Sequence, residues 1–142
     1  MLSIAEKAYL AGLIDGEGSV YISKYVGRIR TQYSSGLIIT LTKPRALRYC
    51  LRVTQVGSLS KGRLPKNKNH ARMWQWKVHS NQAAQILNQV LSFLILKKKQ
   101  ARLQLLFQSR MYDPGRKGLS EIAQRFQRTC YNKMKKLNKR GQ

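Results

Sequence analysis

The sequence predicts an α+β fold, in which two β-hairpins alternate with helices and more helices follow. Two stretches alternate apolar and polar residues on either side of a turn, as hairpins do. Segments with apolar residues three and four apart precede, separate and follow these stretches, which is the spacing of amphipathic helices. The predicted order is α-β-β-α-β-β-α-α-α, in one domain that spans residues 1–142.

The first helix is predicted over residues 3–17, because Ser3 followed three residues later by Glu6 forms a capping box. The first hairpin follows. Apolar and polar residues alternate over 20–26 and again over 32–42, on either side of a short turn that contains a glycine.

The second helix is expected to begin near Thr42, a candidate N-cap, with Pro44 in its first turn. The second hairpin is predicted from residues 57–64 and 71–79. The loop 65–69 between them is basic and begins with proline, which favours a break in pairing.

Three helices complete the predicted fold. Ser80 or Asn81 is expected to cap the third helix, and the fourth helix is expected over 97–110. The Asp-Pro-Gly sequence at 113–115 predicts a break. The last helix, over about 119–139, has apolar residues three and four apart along one face.

Positive charge dominates the composition, since 28 Lys and Arg residues face five Asp and Glu residues, a net charge of +23. Such a chain repels itself unless a polyanion neutralises it, so nucleic acid is the expected partner. A hydrophobic content of 42% argues against a disordered basic tail. No apolar run reaches the ~20 residues of a bilayer span, and no signal-peptide pattern occurs. We therefore expect an intracellular protein without a membrane partner, and reduced core thiols at Cys50 and Cys130.

Two of the five acids, Asp15 and Glu17, stand together at the carboxyl end of the first helix, where the helix dipole disfavours negative charge. A hard divalent cation such as Mg²⁺ would offset that cost. Ion pairs with the many cationic side chains are the alternative, and the pattern leaves both open. Gly12 and Gly16 lie four residues apart on one helix face, which predicts a close contact with another helix.

Residues 10–18, Leu-Ala-Gly-Leu-Ile-Asp-Gly-Glu-Gly, resemble the signature of the LAGLIDADG homing endonucleases at seven of nine positions. The departures are Gly16 for Ala and Glu17 for Asp. The predicted order of elements is similar to the αββαββα core of that family. The resemblance implies a four-stranded antiparallel sheet that binds DNA, with additional helices at the carboxyl end.

The resemblance further implies an intron-encoded, site-specific endonuclease that makes a staggered double-strand break by metal-dependent hydrolysis. Mg²⁺ is the expected cofactor, with other divalent cations possible. Glu17 is the implied metal ligand and catalytic residue, and the backbone carbonyl of Gly16 is expected to assist it. Asp15 is a weaker candidate for a metal ligand. We expect it to stabilise the end of the helix, or to contact the residues that bind the metal, rather than to bind the metal itself.

A basic residue is also implied near the scissile phosphate. Lys97 is our candidate, in a lysine-rich segment where Lys98 and Lys99 remain alternatives. Members of the family often have a polar side chain at the end of the second strand. Thr42 and Lys43 occupy that place here, and Lys43 is our candidate for a further catalytic residue.

A single motif implies that two copies of the chain form a homodimer, with Ala11, Gly12 and Gly16 at the interface. Two-fold symmetry then implies a long palindromic or near-palindromic double-stranded DNA target. An intron RNA maturase, which binds its RNA without hydrolysis, is the alternative on the same scaffold. The source is not predicted, beyond expression where the host intron resides in an organelle, a bacterium or an archaeon.

The polar side of the sheet is expected to lie in the major groove of the target. The residues that alternate away from the apolar side are the candidate contacts: Tyr21, Ser23, Tyr25, Ser34, Gly36, Ile38, Thr40, Ser58, Ser60, Met73, Gln75 and Lys77. Arginines near the hairpin tips are added as candidates for guanine contacts: Arg28, Arg30, Arg63 and Arg72. Lys66 and Lys68 are expected to contact phosphates.

Overall fold

The helices and strands follow the predicted order in a computed structural model that describes residues 1–111 and 118–139. The predicted break at 113–115 lies outside the described residues. The elements are α1 (Ile4–Glu17), β1 (Gly18–Val26), β2 (Thr31–Leu41), α2 (Arg45–Thr54), β3 (Ser58–Lys61), β4 (Trp74–His79), α3 (Ser80–Val90), a 3₁₀ turn (Leu91–Phe93), α4 (Lys98–Ser109) and α5 (Glu121–Leu137). The predicted α+β class is confirmed.

The four strands form one antiparallel sheet in the order β1-β2-β4-β3. The first hairpin pairs nine residues of each strand, from Gly18 opposite Ile39 to Val26 opposite Thr31. The second hairpin is shorter than predicted, because only Ser58–Lys61 pairs with β4. Beyond this ladder one more backbone bond, 2.7 Å long, runs from the amide of Gly62 to Met73. Pro65, which has no amide hydrogen to donate, follows three residues later.

The helices cover one side of the sheet, and the core lies between the two layers. Its largest fully buried side chains come from α1, the central strands, α2, α3 and α4: Leu10, Ile14, Leu37, Ile39, Leu47, Trp76, Leu87 and Phe107. The alternation predicted for β2 and β4 is therefore confirmed on the inner side of the sheet.

One predicted helix cap is confirmed, since Ser3 and Glu6 form the capping box of α1. The last helix begins close to its predicted position, where the hydroxyl of Ser120 accepts a hydrogen bond from Ala123. The predicted caps of α2 and α3 need correction. Pro44 rather than Thr42 occupies the N-cap of α2, and neither Ser80 nor Asn81 caps α3, whose N-cap is His79.

Cys50 and Cys130 are free and buried, as predicted. Burial raises the pKa of the Cys50 thiol to about 11, against a smaller opposing effect of a backbone hydrogen bond. Within residues 1–111 and 118–139, no helix combines the length and the hydropathy that a membrane crossing requires.

Candidate active site and nucleic-acid interface

The carboxyl end of α1 is bound to the segment that leads into α4. The Asp15 carboxylate accepts three consecutive backbone amides, from Ile95 at 2.8 Å, Leu96 at 3.1 Å and Lys97 at 2.9 Å. Amide groups at the start of a helix have no partner inside that helix, and the helix dipole favours an anion there. Asp15 therefore fixes the bend that leads into α4, up to its N-cap residue Lys97, from a position 80 residues away in sequence.

Lys97 completes the same junction from the opposite direction. Its ammonium group donates to the backbone carbonyls of Ile14 at 3.1 Å and Asp15 at 3.0 Å. Carbonyls in the last turn of a helix also lack intrahelical partners, and they attract a cation. The two side chains thus hold the two helix ends together, and we call this arrangement the Asp15–Lys97 clamp.

The clamp changes the proton affinity of both side chains. Burial alone would raise the pKa of Asp15, but its three amide bonds and the charge of Lys97 lower the pKa below 3.8. Burial lowers the pKa of Lys97, against the opposing effect of the carboxylates of Asp15 and Glu17. Lys97 is therefore a partly desolvated cation that lies within electrostatic reach of both acids.

Glu17, the last residue of α1, is exposed. Gly18 follows at once, and its amide donates to the carbonyl of Ile14. A Cβ atom at this glycine would lie 2.7 Å from that carbonyl oxygen, so a side chain there would clash with the helix backbone. Glycine thus permits the direct passage from α1 into β1, and Glu17 lies where the helix meets the sheet.

The donors at this end of α1 suit a hard cation, since they are carboxylate and carbonyl oxygens. In the part of the chain that the structure describes, no three His, Cys, Asp or Glu side chains cluster to hold a metal by themselves. A metal at Glu17 would therefore take other ligands from water, from phosphate or from a second copy of the chain. Asp15 differs from Glu17, because its oxygens already accept three amides.

The other predicted basic residues are arranged differently from Lys97. Lys43 and Thr42 are exposed beyond the end of β2, and among the described residues no ion pair joins Lys43 to Glu17. Lys98 and Lys99 lie in the first turn of α4. Lys97 is the lysine whose ammonium contacts the carbonyls at the end of α1.

The outer side of the sheet, away from the helices, carries the strand residues that the alternation predicted. Directly opposed residues of antiparallel strands point to the same side. The register pairs Tyr21 with Gly36, Ser23 with Ser34, Lys77 with Ile38, Gln75 with Thr40, Ser58 with Lys77, and Ser60 with Gln75. Tyr25 and Met73 are exposed at strand ends. We call this surface the outer sheet face.

Gly36 needs correction as a candidate DNA contact. It is buried, and a Cβ atom there would lie 2.4 Å from the Tyr21 hydroxyl oxygen. Gly36 therefore provides the space for the Tyr21 side chain, whose partial burial also raises its pKa. The sequence analysis also missed Gln32 and His79, which lie on this face opposite Tyr25 and Gly36. Extending each alternation by one step, to the strand ends, would have found both.

Most of the basic residues outside the strands that are predicted to contact phosphates or guanines have exposed side chains. Arg28, Arg30, Arg63, Lys66 and Lys68 are all exposed. Arg72 is the exception, since its Nε atom donates to the carbonyl of Gly62 and so ties the two ends of the β3–β4 loop together.

None of the exposed residues of α1 from Ile4 to Gly16 is charged, and the charged residues of that range, Glu6, Lys7 and Asp15, are half-buried. Gly12 and Gly16 face open space, since apart from the neighbouring backbone of α1 no described atom lies within 4 Å of where a Cβ would be. Ala11 does not belong to this side and is corrected as an interface candidate, because it is 1% exposed and lies in the core of its own chain. We call the exposed residues Ala5, Ala8, Gly12 and Gly16 the small-residue face of α1.

The comparison with known proteins finds similar solved structures. No family model matches the sequence, and no curated protein matches it significantly. Among solved structures, the homing endonuclease I-CvuI in complex with its target superposes with a TM-score of 0.78 at 19% identity, over 97% of this chain and 84% of that one. The archaeal intron-encoded homing endonuclease I-Vdi141I, complexed with DNA, gives 0.78 at 16% identity, over 97% and 87%.

A third similar structure is that of a LAGLIDADG homing endonuclease with two thirds or less of its length matched by this chain. The LAGLIDADG homing endonuclease I-GzeII, in complex with a DNA target, superposes with a TM-score of 0.64 at 17% identity, over 92% of this chain and 43% of that one. The match of the whole αββαββα core and its added helices, together with residues 10–18, identifies the architecture. This chain has the fold of the LAGLIDADG homing endonucleases.

Proposed function

We propose that this protein is a site-specific, divalent-cation-dependent DNA endonuclease that acts as a homodimer on a near-palindromic target. In this proposal each subunit binds half of the target on its outer sheet face. Each also presents one Glu17 and one Lys97 to a phosphodiester. The product is a staggered double-strand break.

The observation that carries the proposal is the clamped end of α1. It leaves one carboxylate, Glu17, exposed at the junction of helix and sheet, beside a partly desolvated Lys97. A chain with a net charge of +23 does not need a carboxylate to bind nucleic acid, whereas metal-assisted hydrolysis requires one. The structural neighbours I-CvuI, I-Vdi141I and I-GzeII are homing endonucleases with DNA bound, which supports a DNA substrate.

A divalent cation would be held by the Glu17 carboxylate, with the carbonyl of Gly16 as a further oxygen donor. Bound there, such a cation would polarise the scissile phosphate or an attacking water. Lys97 would add a fixed positive charge near the phosphate and so stabilise the negative charge that develops in the transition state. I-CvuI was crystallised with DNA in the presence of Mg in one case, with the DNA not cleaved, and in the presence of Ca in another; both are hard cations.

The remaining predicted residues keep supporting roles in this proposal. Asp15 positions the clamp rather than binding the metal, because its oxygens already accept three amides. Lys43 is left as a candidate for a contact to the DNA backbone beside the reacting phosphate.

The homodimer is proposed from the small-residue face of α1. Gly12 and Gly16 leave room for a second helix backbone at close range. A pair of α1 helices brings two Glu17 residues together at one end, one for each DNA strand. A two-fold symmetric protein binds a target with matching symmetry, which is the basis for expecting a near-palindrome.

No observation on the described residues favours the maturase alternative. The structural neighbours named above are bound to DNA. An RNA-binding role would also leave the position of Glu17 beside Lys97 without a purpose.

The test is a cleavage selection on a randomised, symmetric DNA library in the presence of Mg²⁺. We expect discrete double-strand cuts at a near-palindromic sequence. Glu17→Gln should lower the cleavage rate by about a thousandfold or more while binding persists, since it removes the charged ligand but keeps the shape. Chelation of the cation should have the same effect on the unaltered protein.

Glu121→Gln is the matched control, because that glutamate is exposed on α5, where it forms a surface ion pair with Arg125. It should cut as the unaltered protein does. Failure to cut any sequence, combined with tight binding to a folded intron RNA, would contradict the proposal and favour the maturase.

A further inference from the structure

We infer that four hydrogen-bonded side chains beneath the sheet position α4 and, through it, Lys97. They are Gln104 and Gln108 of α4, Ser35 of β2 and Asn81 of α3, and we call them the α4 anchor. The inference rests on the proposed function, because it gives the anchor a part in placing the charge of Lys97 for cleavage. It adds residues that act on the reaction only through Lys97.

The bonds of the α4 anchor form a continuous chain. Gln104 donates from Nε2 to the Ser35 hydroxyl at 3.0 Å, and that hydroxyl donates to Oε1 of Gln108 at 2.8 Å. Gln108 in turn donates from Nε2 to Oδ1 of Asn81 at 2.9 Å. Because a hydrogen bond requires a particular distance and direction, the chain fixes α4 relative to β2 and α3.

Two members of the α4 anchor are buried, and one of them is incompletely bonded. Ser35 is 1% exposed and Gln104 is fully buried. Within residues 1–111 and 118–139, the Oε1 atom of Gln104 accepts no hydrogen bond. A buried acceptor without a partner destabilises the folded state, whereas an apolar side chain of similar shape does not. Gln104 thus lowers stability at one amide atom while the other supplies a directed bond to the sheet, which favours a role in position over a role in stability.

The α4 anchor and Lys97 lie on one side of α4. Successive residues of an α-helix are rotated by about 100°, so Gln104 and Gln108, seven and eleven residues after the N-cap Lys97, return to within about 20° of it. At a rise of about 1.5 Å per residue, Gln104 lies about 10 Å from Lys97 along the helix. The clamp therefore holds α4 at its start, and the anchor holds the same side of α4 about two turns later.

The α4 anchor joins α4 to the strand behind the outer sheet face. Ser35 points inward, while its two neighbours in β2 belong to the outer sheet face. Among the described residues, the side-chain hydrogen bonds from α4 to the sheet all pass through Ser35, since Gln100 binds the carbonyl of Leu137 in α5 instead. Apolar contacts are non-directional, so without the anchor the direction of α4 relative to β2 would be set less narrowly. Lys97 would then lose part of its fixed position relative to the outer sheet face.

The first test needs no DNA. Gln104→Met keeps the length of the side chain and removes the amide. Because the lost amide includes the unpartnered atom, the denaturant midpoint of unfolding should stay unchanged or rise. The amides of Ile95, Leu96 and Lys97, which Asp15 accepts, should nevertheless exchange with solvent about tenfold faster, since local opening of the clamp becomes easier. Hydrogen exchange followed by NMR measures this rate.

The second test measures cleavage. In Gln104→Met, the single-turnover rate at saturating DNA should fall about fivefold with the affinity for the target unchanged, because a fixed charge acts on the transition state. In a chain that also carries Lys97→Met, Gln104→Met should lower the rate no further. A positioning residue has no effect once the charge that it positions is gone, so the two losses are not additive.

Gln127→Met is the matched control. Gln127 is 3% exposed in α5, and its Nε2 atom donates to the sulfur of Met111 at 3.3 Å. The same chemical change is made there in the core but outside the α4 anchor, so amide exchange in the clamp and cleavage should both stay unaltered. If Gln104→Met unfolds, Gln108→Met replaces it at a half-buried position of the same chain of bonds.

Three results would each overturn the inference: unchanged amide exchange in the folded variant, equal effects of the control, or a further loss of rate when the Lys97 charge is already absent. The exchange measurement also separates this inference from the proposed function. Faster exchange in a protein that cuts no DNA would retain the α4 anchor as the device that positions the clamp and would contradict the nuclease alone.

Discussion

The clamped end of α1 and the outer sheet face are built in opposite ways. At the end of α1, Asp15 and Lys97 are each held by two or more backbone groups of another segment. On the outer sheet face, the side chains of Tyr25 and Gln32 are exposed, and within residues 1–111 and 118–139 no comparable set of backbone groups holds them. Hydrolysis of a phosphodiester requires charged groups whose positions are fixed before the reaction. Binding to a long duplex tolerates movement of the side chains that contact it. If the proposed function holds, substitutions at the end of α1 should therefore reduce cleavage more than binding, and substitutions on the outer sheet face should reduce binding more than cleavage.

The largest expected effect after that of Glu17 is at Lys97. Lys97→Met keeps the aliphatic stem and removes the charge. We expect single-turnover cleavage at saturating DNA to fall about a hundredfold, because one fixed charge near the transition state is lost. Target binding, measured by titration at fixed salt, should change less than about threefold, because a single phosphate contact contributes little to a long interface.

Lys99→Met is the control for Lys97, since Lys99 is exposed in the first turn of α4, which Lys97 precedes as the N-cap. It should cut at nearly the unaltered rate. Equal losses of cleavage in the two variants would show that general positive charge matters here and that the geometry of the clamp does not.

A smaller effect is expected for Asp15→Asn. The asparagine amide group would place a donor against at least one of the three amides that the carboxylate now accepts. We expect the free energy of unfolding to fall by about 1–2 kcal/mol, the low end for charged hydrogen bonds because the group is partly exposed. Cleavage should fall about tenfold as Lys97 loses its fixed position. Denaturant unfolding and single-turnover rates measure the two effects.

The dependence of cleavage on the Mg²⁺ concentration distinguishes a positioning role of Asp15 from direct metal binding. If Asp15 only positions Lys97, the Mg²⁺ concentration that gives half-maximal cleavage should be nearly unchanged in Asp15→Asn. A large rise in that concentration, with unchanged stability, would contradict the positioning role and restore Asp15 as a metal ligand.

These two regions also differ in how far the sequence predicts them. The outer sheet face follows from alternation within each strand, so most of its residues were found without a structure. The clamp joins residues 80 or more positions apart, and no local pattern in the sequence encodes the acceptance of three amides by Asp15. Gly36 was misassigned for a related reason, since its role depends on the side chain of Tyr21 in the neighbouring strand. Spacing alone also does not decide burial in α5, since Ile122 continues its apolar spacing but is 83% exposed.

The smallest expected effect lies in the β3–β4 loop, where Lys66 and Lys68 are exposed. The double substitution to Gln should lower the slope of log K against log salt by about 2, since each phosphate contact contributes about one counterion. Affinity should fall alike for the target and for unrelated DNA, and cleavage at saturating DNA should stay unchanged. Glutamines at Arg102 and Arg128, exposed on α4 and α5, provide a control of equal charge. If both pairs changed the slope equally, DNA binding would follow the total charge of the protein, and the loop would have no contact of its own.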